Sequence, residues 1–203
     1  MRFQSAPELD IIAPGLIDQA WSESEAFGAA TWLWMHADTR RELPLQWLAS
    51  LLLPAIEHRQ FLIASTEQRP VCFLSWACFD EAAEQRYLEG PPQALHSIDW
   101  NSGNRMWLID WIAPFGYTRA LASLLSKQLF ANRWARSLDH RGNERGFRIK
   151  TFHGCAVDPA EAALWFRKHP PALARALAPS LAPAHVLKPH PASSNPLPEG
   201  AVT

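Results

Sequence analysis

Met106-Trp-Leu-Ile-Asp-Trp-Ile-Ala113 is the stretch of this 203-residue chain whose reading decides the fold. Every residue in it except Asp110 is apolar, and a run of this length and composition reads as a buried β-strand, the strongest in the sequence. Strict alternation places Asp110 on one face with Leu108 and Ile112, and Trp107 with Trp111 on the other. A carboxylate so placed costs several kcal/mol unless it is paired, hydrogen-bonded or protonated, and burial raises its pKa. Asp110 is therefore either an acid/base or orienting residue of a site, or a structural aspartate satisfied by backbone amides or by an arginine such as Arg105. Residue type and placement leave both open.

Outward from this strand the chain alternates between helical and extended patterns. On the N-terminal side, Phe61 to Ala64 and Val71 to Phe79 are apolar runs separated by the polar stretch 65–70, the pattern of an antiparallel hairpin. Phe27 to Met35 reads as a helix. Thr39-Arg-Arg-Glu42 fits a capping box, and Leu45 to Glu57 reads as a helix with Pro44 at its start. Asp80 is placed to cap a helix running to Leu88. Beyond Ala113, the sequence predicts a helix over Arg119 to Arg136, a strand over Phe147 to Phe152 and a closing helix over Ala160 to Leu177, dented at Pro170-Pro171. The order α, α, β, β, α, β, α, β, α predicts a layered α/β sheet. Residues 1–25 read as an N-terminal extension, 26–178 as one domain, and 179–203, with six prolines and only Lys188 and Glu199 charged, as a disordered tail.

Composition excludes several function classes. With 48% hydrophobic residues, 19% charged residues and a net charge of -1, the chain has enough apolar surface for a core and no basic bias for nucleic acid. No apolar run approaches the roughly 18 residues of a membrane span and residues 1–10 hold no signal-like segment, so the expectation is a soluble, cytoplasmic protein. The three cysteines, Cys72, Cys78 and Cys155, show no C-x-x-C spacing and read as reduced thiols. No two of the eight histidines stand at metal-ligand spacing; His36 and His153 adjoin aromatic clusters, whereas His58, His140, His185 and His190 read as solvated or tail residues. No nucleophile elbow, Gly-x-Gly-x-x-Gly or P-loop occurs. Ten tryptophans against two tyrosines indicate either a heavy aromatic core or one wall of a slot for an acyl chain.

Several strings then fall into a shared order. Trp32-Leu-Trp-Met35, Leu53-Pro-Ala-Ile56, Gln60-Phe61, Pro70-Val71, Ser75-Trp-Ala77, Trp100-x-Ser-Gly103, Arg105-x-Trp107 and above all Ile109-Asp-Trp-Ile-Ala-Pro-Phe-Gly116 resemble the RTX toxin-activating lysine acyltransferases of the hemolysin C type. The resemblance covers about Phe27 to Leu177. It implies a GNAT-like layered mixed sheet flanked by helices. It further implies a cytoplasmic enzyme that moves a fatty acyl group from acyl carrier protein to internal lysines of an RTX protoxin. No resident cofactor or metal is implied.

The resemblance also implies a catalytic pair, a histidine after the Trp-Leu-Trp helix and the aspartate of the Ile-Asp-Trp-Ile string. Asp110 matches the aspartate. The family serine falls on Ala37 and the family histidine on Arg40, which with a pKa above about 12 is no general base. Three readings follow. His36, four residues before Arg40, shares its face if the helix continues and supplies the imidazole. Alternatively, Asp110 is the base and Arg40 stabilises the oxyanion or a carrier phosphate. Or the chain is a catalytically silent relative that binds toxin or carrier. A GNAT-type enzyme acylating a small amine is disfavoured by the absence of a Gly-rich pyrophosphate loop. Trp32, Trp34, Ser75, Trp76, Arg105, Trp107 and Trp111 are the candidate substrate-binding residues, acyl carrier protein and an RTX protoxin the expected partners, and a homodimer an assembly left open.

Overall fold

The computed structural model describes residues 2–3, 9–91, 94–139 and 148–171. The proline-rich tail, His140, His185, His190 and the last turns expected of the closing helix lie outside them.

Seven strands form one sheet in chain order: β1 (Arg2–Phe3), β2 (Leu9–Ile12), β3 (Phe61–Thr66), β4 (Arg69–Phe79), β5 (Arg105–Ile112), β6 (Trp134–Asp139) and β7 (Arg148–His153). All neighbours are antiparallel except β5 and β6, whose parallel pairing requires the intervening helical crossover. Six helices complete the fold: α1 (Glu23–Met35), α2 (Leu48–Leu51), α3 (Leu53–Glu57), α4 (Glu81–Glu89), α5 (Thr118–Leu124) and α6 (Pro159–Lys168). One face of the sheet packs Leu62, Leu74, Trp76, Met106 and Leu108 against Leu121 and Leu124 of α5. The other packs Phe61, Phe73 and Ile112 against Leu33 and Trp34 of α1, and Ala77, Phe79 and Trp107 against Ala83 and Leu88 of α4. Helices on both faces of a mixed sheet give the expected GNAT-like α/β arrangement.

Local chemistry explains most boundaries. Ser22 caps α1, its hydroxyl accepting from the Glu25 N–H, and Asp80 caps α4 by accepting from the Ala83 N–H at 2.7 Å. The helix expected over Leu45 to Glu57 is instead a 3-10 turn (Leu45–Trp47) followed by α2 and α3. Pro54 has no N–H to continue the ladder, and the chain breaks at Leu52. The helix expected to reach Arg136 ends earlier, passing through a π-helical turn (Leu125–Leu129) before β6 begins at Trp134. The Thr39 to Glu42 capping box starts no helix; residues 38–42 form a turn. Within the stretch read as an N-terminal extension, residues 9–12 add β2 to the sheet, burying Leu9 and Ile11 in the core.

β5 departs from strict alternation. Its register with β4 shifts so that Ser75 faces Asp110 while Trp76 faces Leu108, which leaves Ile109 as an extra, unmatched residue. This is a β-bulge, and it swaps the faces of everything that follows. Asp110 consequently lies on the α1 face with Trp107 and Ile112, not beside Leu108, and the two tryptophans expected to share a face are split, Trp107 packing toward α4 and Trp111 toward α5. Beyond Leu108 no described residue of β5 is matched to β6, so the two parallel strands part at the bulge.

The same face holds a second buried carboxylate. Glu84, on the inner side of α4, accepts from Arg105 Nη1 at 2.6 Å, Trp107 Nε1 at 2.8 Å and Arg136 Nη1 at 2.9 Å. Arg136 lies among Trp107, Trp165 and Phe166, and donates to the His169 carbonyl that ends α6. This network ties β5, β6, α4 and α6 together and claims Arg105 and Trp107 as structural members.

Two stability measurements follow from these features. Glu67 and Gln68, the two loop residues of the β3–β4 hairpin, both hold positive φ (49° and 64°), the conformation that Asn-Gly adopts with less strain. Glu67→Asn with Gln68→Gly is expected to raise unfolding free energy by about 1 kcal/mol in urea titration, and no gain would contradict the strain assignment. Glu84→Gln leaves buried Arg136 without its carboxylate and Arg105 with only the exposed Glu81 at 3.6 Å, and is expected to cost about 3 kcal/mol or more. A loss under about 1 kcal/mol in the same titration would show that water satisfies the cluster.

Candidate active site

Helix α1 ends at Met35 with His36 as its C-cap, so His36 and Arg40 do not lie on one continuous helix. The chain reverses instead, the Arg40 N–H donating to the Ala37 carbonyl at 2.9 Å and the Leu43 N–H to the Arg40 carbonyl at 3.0 Å. Ala37 and Leu43 pack into the apolar cluster that holds Trp34, which pins the turn against the sheet. Its outcome is to aim Arg40 inward at β5.

Arg40 reaches Asp110 with two nitrogens on one oxygen, Nε at 2.8 Å and Nη2 at 2.6 Å from Oδ1. The Asp110 side chain is fully buried, whereas that of Arg40 is 23% exposed, so the guanidinium forms a lid over the carboxylate with its outer edge toward solvent. The Trp34 ring centroid stands 5.6 Å from the guanidinium carbon. On the sheet side, the Asp110 N–H donates to Ser75 Oγ at 3.2 Å. Burial pushes the Asp110 carboxyl above its ordinary range, opposed by the charge and hydrogen bonds of Arg40 and by the Ser75 hydroxyl. Oδ2 is buried without a hydrogen-bond partner among the described residues.

His36 stands apart from this pair, with no hydrogen bond to Arg40 or Asp110 among the described residues. Its Nδ1 lies 2.8 Å from the Trp32 carbonyl, which can only accept, so Nδ1 carries the proton and Nε2 keeps the basic lone pair in the neutral ring. The ring packs against Trp32 at 4.1 Å and Phe115 at 5.7 Å between centroids. It lines an open cleft of about 270 Å3 with Asp38, Thr39, Trp111, Pro114 and Thr118. This cleft opens at the C-terminal end of β5, where that strand has parted from β6.

The remaining candidates divide by position. Trp32 borders the cleft through His36, and Trp111 lines it; Trp34 and Ser75 flank the Arg40–Asp110 pair. Trp76 is buried on the opposite face, edge-on to Phe130, and Arg105 and Trp107 belong to the Glu84 network. Two residues that sequence reasoning passed over adjoin the aromatic group around His36, Phe115 and Arg69. The guanidinium carbon of Arg69 lies 5.2 Å from the Trp32 centroid and 4.8 Å from that of Phe115. Phe115 belongs to the Ile109 to Gly116 string and was visible there; Arg69 carries no local signal, since only the fold brings the hairpin over α1. Among the described residues no group of three or more His, Cys, Asp or Glu is arranged to hold a metal, and no helix is long and apolar enough to cross a membrane.

The arrangement offers a proton acceptor at a cleft, a guanidinium held by a buried carboxylate, and a parted strand edge with unmatched backbone. These are the parts that acyl transfer to an amine requires. Comparison with known proteins agrees. Residues 19–153 match the model of the RTX toxin acyltransferase family. The RTX-I toxin-activating lysine-acyltransferase ApxIC of Actinobacillus pleuropneumoniae is 36% identical over 145 residues, covering 71% of this chain and 83% of that protein. The protein-lysine palmitoyltransferase CyaC of Bordetella bronchiseptica is 35% identical over 152 residues, 74% of this chain and 80% of its own length. The protein-lysine myristoyltransferase HlyC of Escherichia coli is 32% identical over 145 residues, 71% and 84%. With two thirds of its length under the family model and relatives of this identity along most of theirs, the chain belongs to the RTX toxin acyltransferase family.

Proposed function

We propose that this protein is a cytoplasmic protein-lysine acyltransferase that takes a long-chain fatty acyl group from acyl carrier protein and places it on internal lysines of an RTX protoxin. Family membership supports the reaction class, and the names of the relatives supply the lysine acceptor and the palmitoyl or myristoyl donor. The observation that carries the mechanism is the Arg40–Asp110 ion pair beside the His36 cleft.

The lysine Nζ attacks the thioester carbonyl, an N–C bond forms, the C–S bond breaks and the carrier thiol departs with the proton. At pH 7 a lysine of ordinary pKa is neutral in only about one molecule in a few thousand, so a base must take its proton. His36 Nε2 is that base, its tautomer set by the Trp32 carbonyl. Arg40 is always charged and takes no proton; its outer N–H groups donate to the oxyanion of the tetrahedral intermediate. Asp110 is the positioning residue that holds Arg40 in this pose, and Ser75 in turn braces the Asp110 backbone. A second reading has one observation in its favour. Asp110 Oδ2 is buried without a partner, which suits a carboxylate that itself accepts the amine proton when substrate displaces Arg40.

Co-expression with an RTX protoxin and acyl carrier protein, followed by peptide mass mapping, tests the proposal. A fatty-acyl increment on lysine is expected, and an unmodified protoxin at full expression of both chains rejects it. In single-turnover assays His36→Ala and Arg40→Gln are each expected to slow transfer about 100-fold, with Asp110→Asn close to Arg40→Gln because it acts through the guanidinium. Should His36→Ala keep the wild-type rate while Asp110→Asn abolishes it, the second reading replaces the first.

A further inference from the structure

We propose that Arg69, held over the Trp32 and Phe115 rings beside His36, is the recognition site for the phosphodiester of the acyl donor's phosphopantetheine arm. This rests on the carrier-dependent reading above and names a binding residue for that same site.

Three observations carry it. The first is the state of the arginine. Arg69 is exposed, and no carboxylate among the described residues pairs with it; Arg40, Arg41, Arg86, Arg105 and Arg136 by contrast each have one. Its charge therefore has no carboxylate partner among the described residues, beside the rings that touch His36. The second is rigidity. Trp32 and Phe115 are themselves 5.6 Å apart, and the guanidinium lies within 5.2 Å of both. Stacking on aromatic faces occupies the π-surface of a guanidinium and leaves its in-plane N–H donors free, which is the geometry that binds phosphate oxygens bidentately. Holding it there in advance removes part of the rotamer entropy that an ordinary surface arginine loses on binding.

The third observation is distance. Arg69 opens β4, and Ser75, the neighbour of Asp110, lies six residues further along the same strand, roughly 20 Å at about 3.3 Å per residue. A phosphopantetheine arm has about thirteen bonds from phosphorus to sulfur, roughly 16 Å when extended. The Arg69 side chain reaches back along that span, its guanidinium 5.2 Å from the Trp32 ring, which is itself 4.1 Å from that of His36, so the arm has length to spare and binds bent. An arm anchored there at its phosphate therefore delivers its thioester to the cleft between His36 and Trp111. A guanidinium–phosphate pair of this kind adds a charge-assisted hydrogen bond or two, worth about tenfold or more in affinity.

Binding of three probes to the full chain, followed by tryptophan fluorescence or calorimetry, tests this: S-octanoyl-pantetheine without phosphate, S-octanoyl-4′-phosphopantetheine, and octanoyl acyl carrier protein. The expected result is at least about tenfold tighter binding of the phosphorylated arm than of the phosphate-free one. That ratio is expected to fall toward one in Arg69→Gln, and carrier affinity to fall with it. Arg69→Lys, which keeps the charge without the planar fork, is expected to hold an intermediate ratio, and equal melting temperatures exclude a folding defect. A wild-type ratio near one, a ratio kept in Arg69→Gln, or a gain confined to the free monoester and absent from the carrier overturns the proposal. An Arg69-dependent ratio without lysine acylation rejects the transferase reading alone, and acylation without such a ratio rejects this one alone.

Discussion

The constraint on which the site depends is the one-residue bulge at Ile109. Had β5 kept strict alternation, the Asp110 carboxylate would enter the apolar layer of Leu74, Trp76, Leu108 and Leu121, with no cation in reach. Its desolvation would then go uncompensated, at a cost of several kcal/mol. The extra residue turns it to the face where the loop after α1 delivers Arg40. The same irregularity ends the pairing of β5 with β6, so one local feature both aims the carboxylate and opens the strand edge.

Among the described residues, the buried ion pairs of the sheet lie on that face. The α5 side holds the apolar cluster of Leu62, Leu74, Trp76, Leu108 and Leu121, whereas the α1 and α4 side carries Asp110 with Arg40 and Glu84 with Arg105 and Arg136. Buried ion pairs of this kind add little net stability, because desolvation consumes most of the Coulombic gain. Their contribution is positional. Glu84 satisfies donors from two strands and so fixes the parallel register of Trp107 and Arg136, where β5 and β6 still run together. Asp110 accepts two donors from one side chain and so fixes a guanidinium. In the first case three donors meet a carboxylate with both oxygens used; in the second, one oxygen is used and the other is idle. That asymmetry separates a structural acid from one poised beside chemistry.

The sequence disclosed those features that local chemistry dictates. The β3–β4 hairpin, the Asp80 cap of α4 and the apolar β5 run are each written in consecutive residues, and Asp110 stood out because a lone carboxylate in such a run needs a reason. What escaped notice depends on residues distant in the chain. β6 was hidden because Arg136, a charge on its inner face, breaks the apolar pattern, and only Glu84 and three aromatic rings make that burial affordable. The bulge has no local signature, so alternation misassigned Trp107, Trp111 and the face of Asp110. Leu9 to Ile12 is short and lies between Pro7 and Pro14; its pairing with β3 is what makes it a strand. Glu84 carries no local mark of burial, because its partners come from β5 and β6. The substitution at position 40 was visible by resemblance, but its meaning was not, because the turn at 38–42 and not a helix determines where the side chain goes.

In the proposed mechanism, a guanidinium at the position where the resemblance implies an imidazole separates two tasks. An imidazole braced by a carboxylate both accepts a proton and presents a positive charge afterward; an arginine supplies the charge permanently and never the lone pair. The proton must then leave by another group, and His36 lies one turn earlier with its free nitrogen at the cleft. Its partner is a backbone carbonyl and not a carboxylate, so its ring is oriented without ionic support. Arg40 offsets this from the other side: a charge already in place stabilises the oxyanion without waiting for proton transfer, which lowers the barrier to attack by an amine whose proton is still departing. In the proposed mechanism a base and a permanent charge on separate side chains thus meet the same requirement, and the buried Asp110 serves it by orientation, holding the charge where the negative oxygen will form.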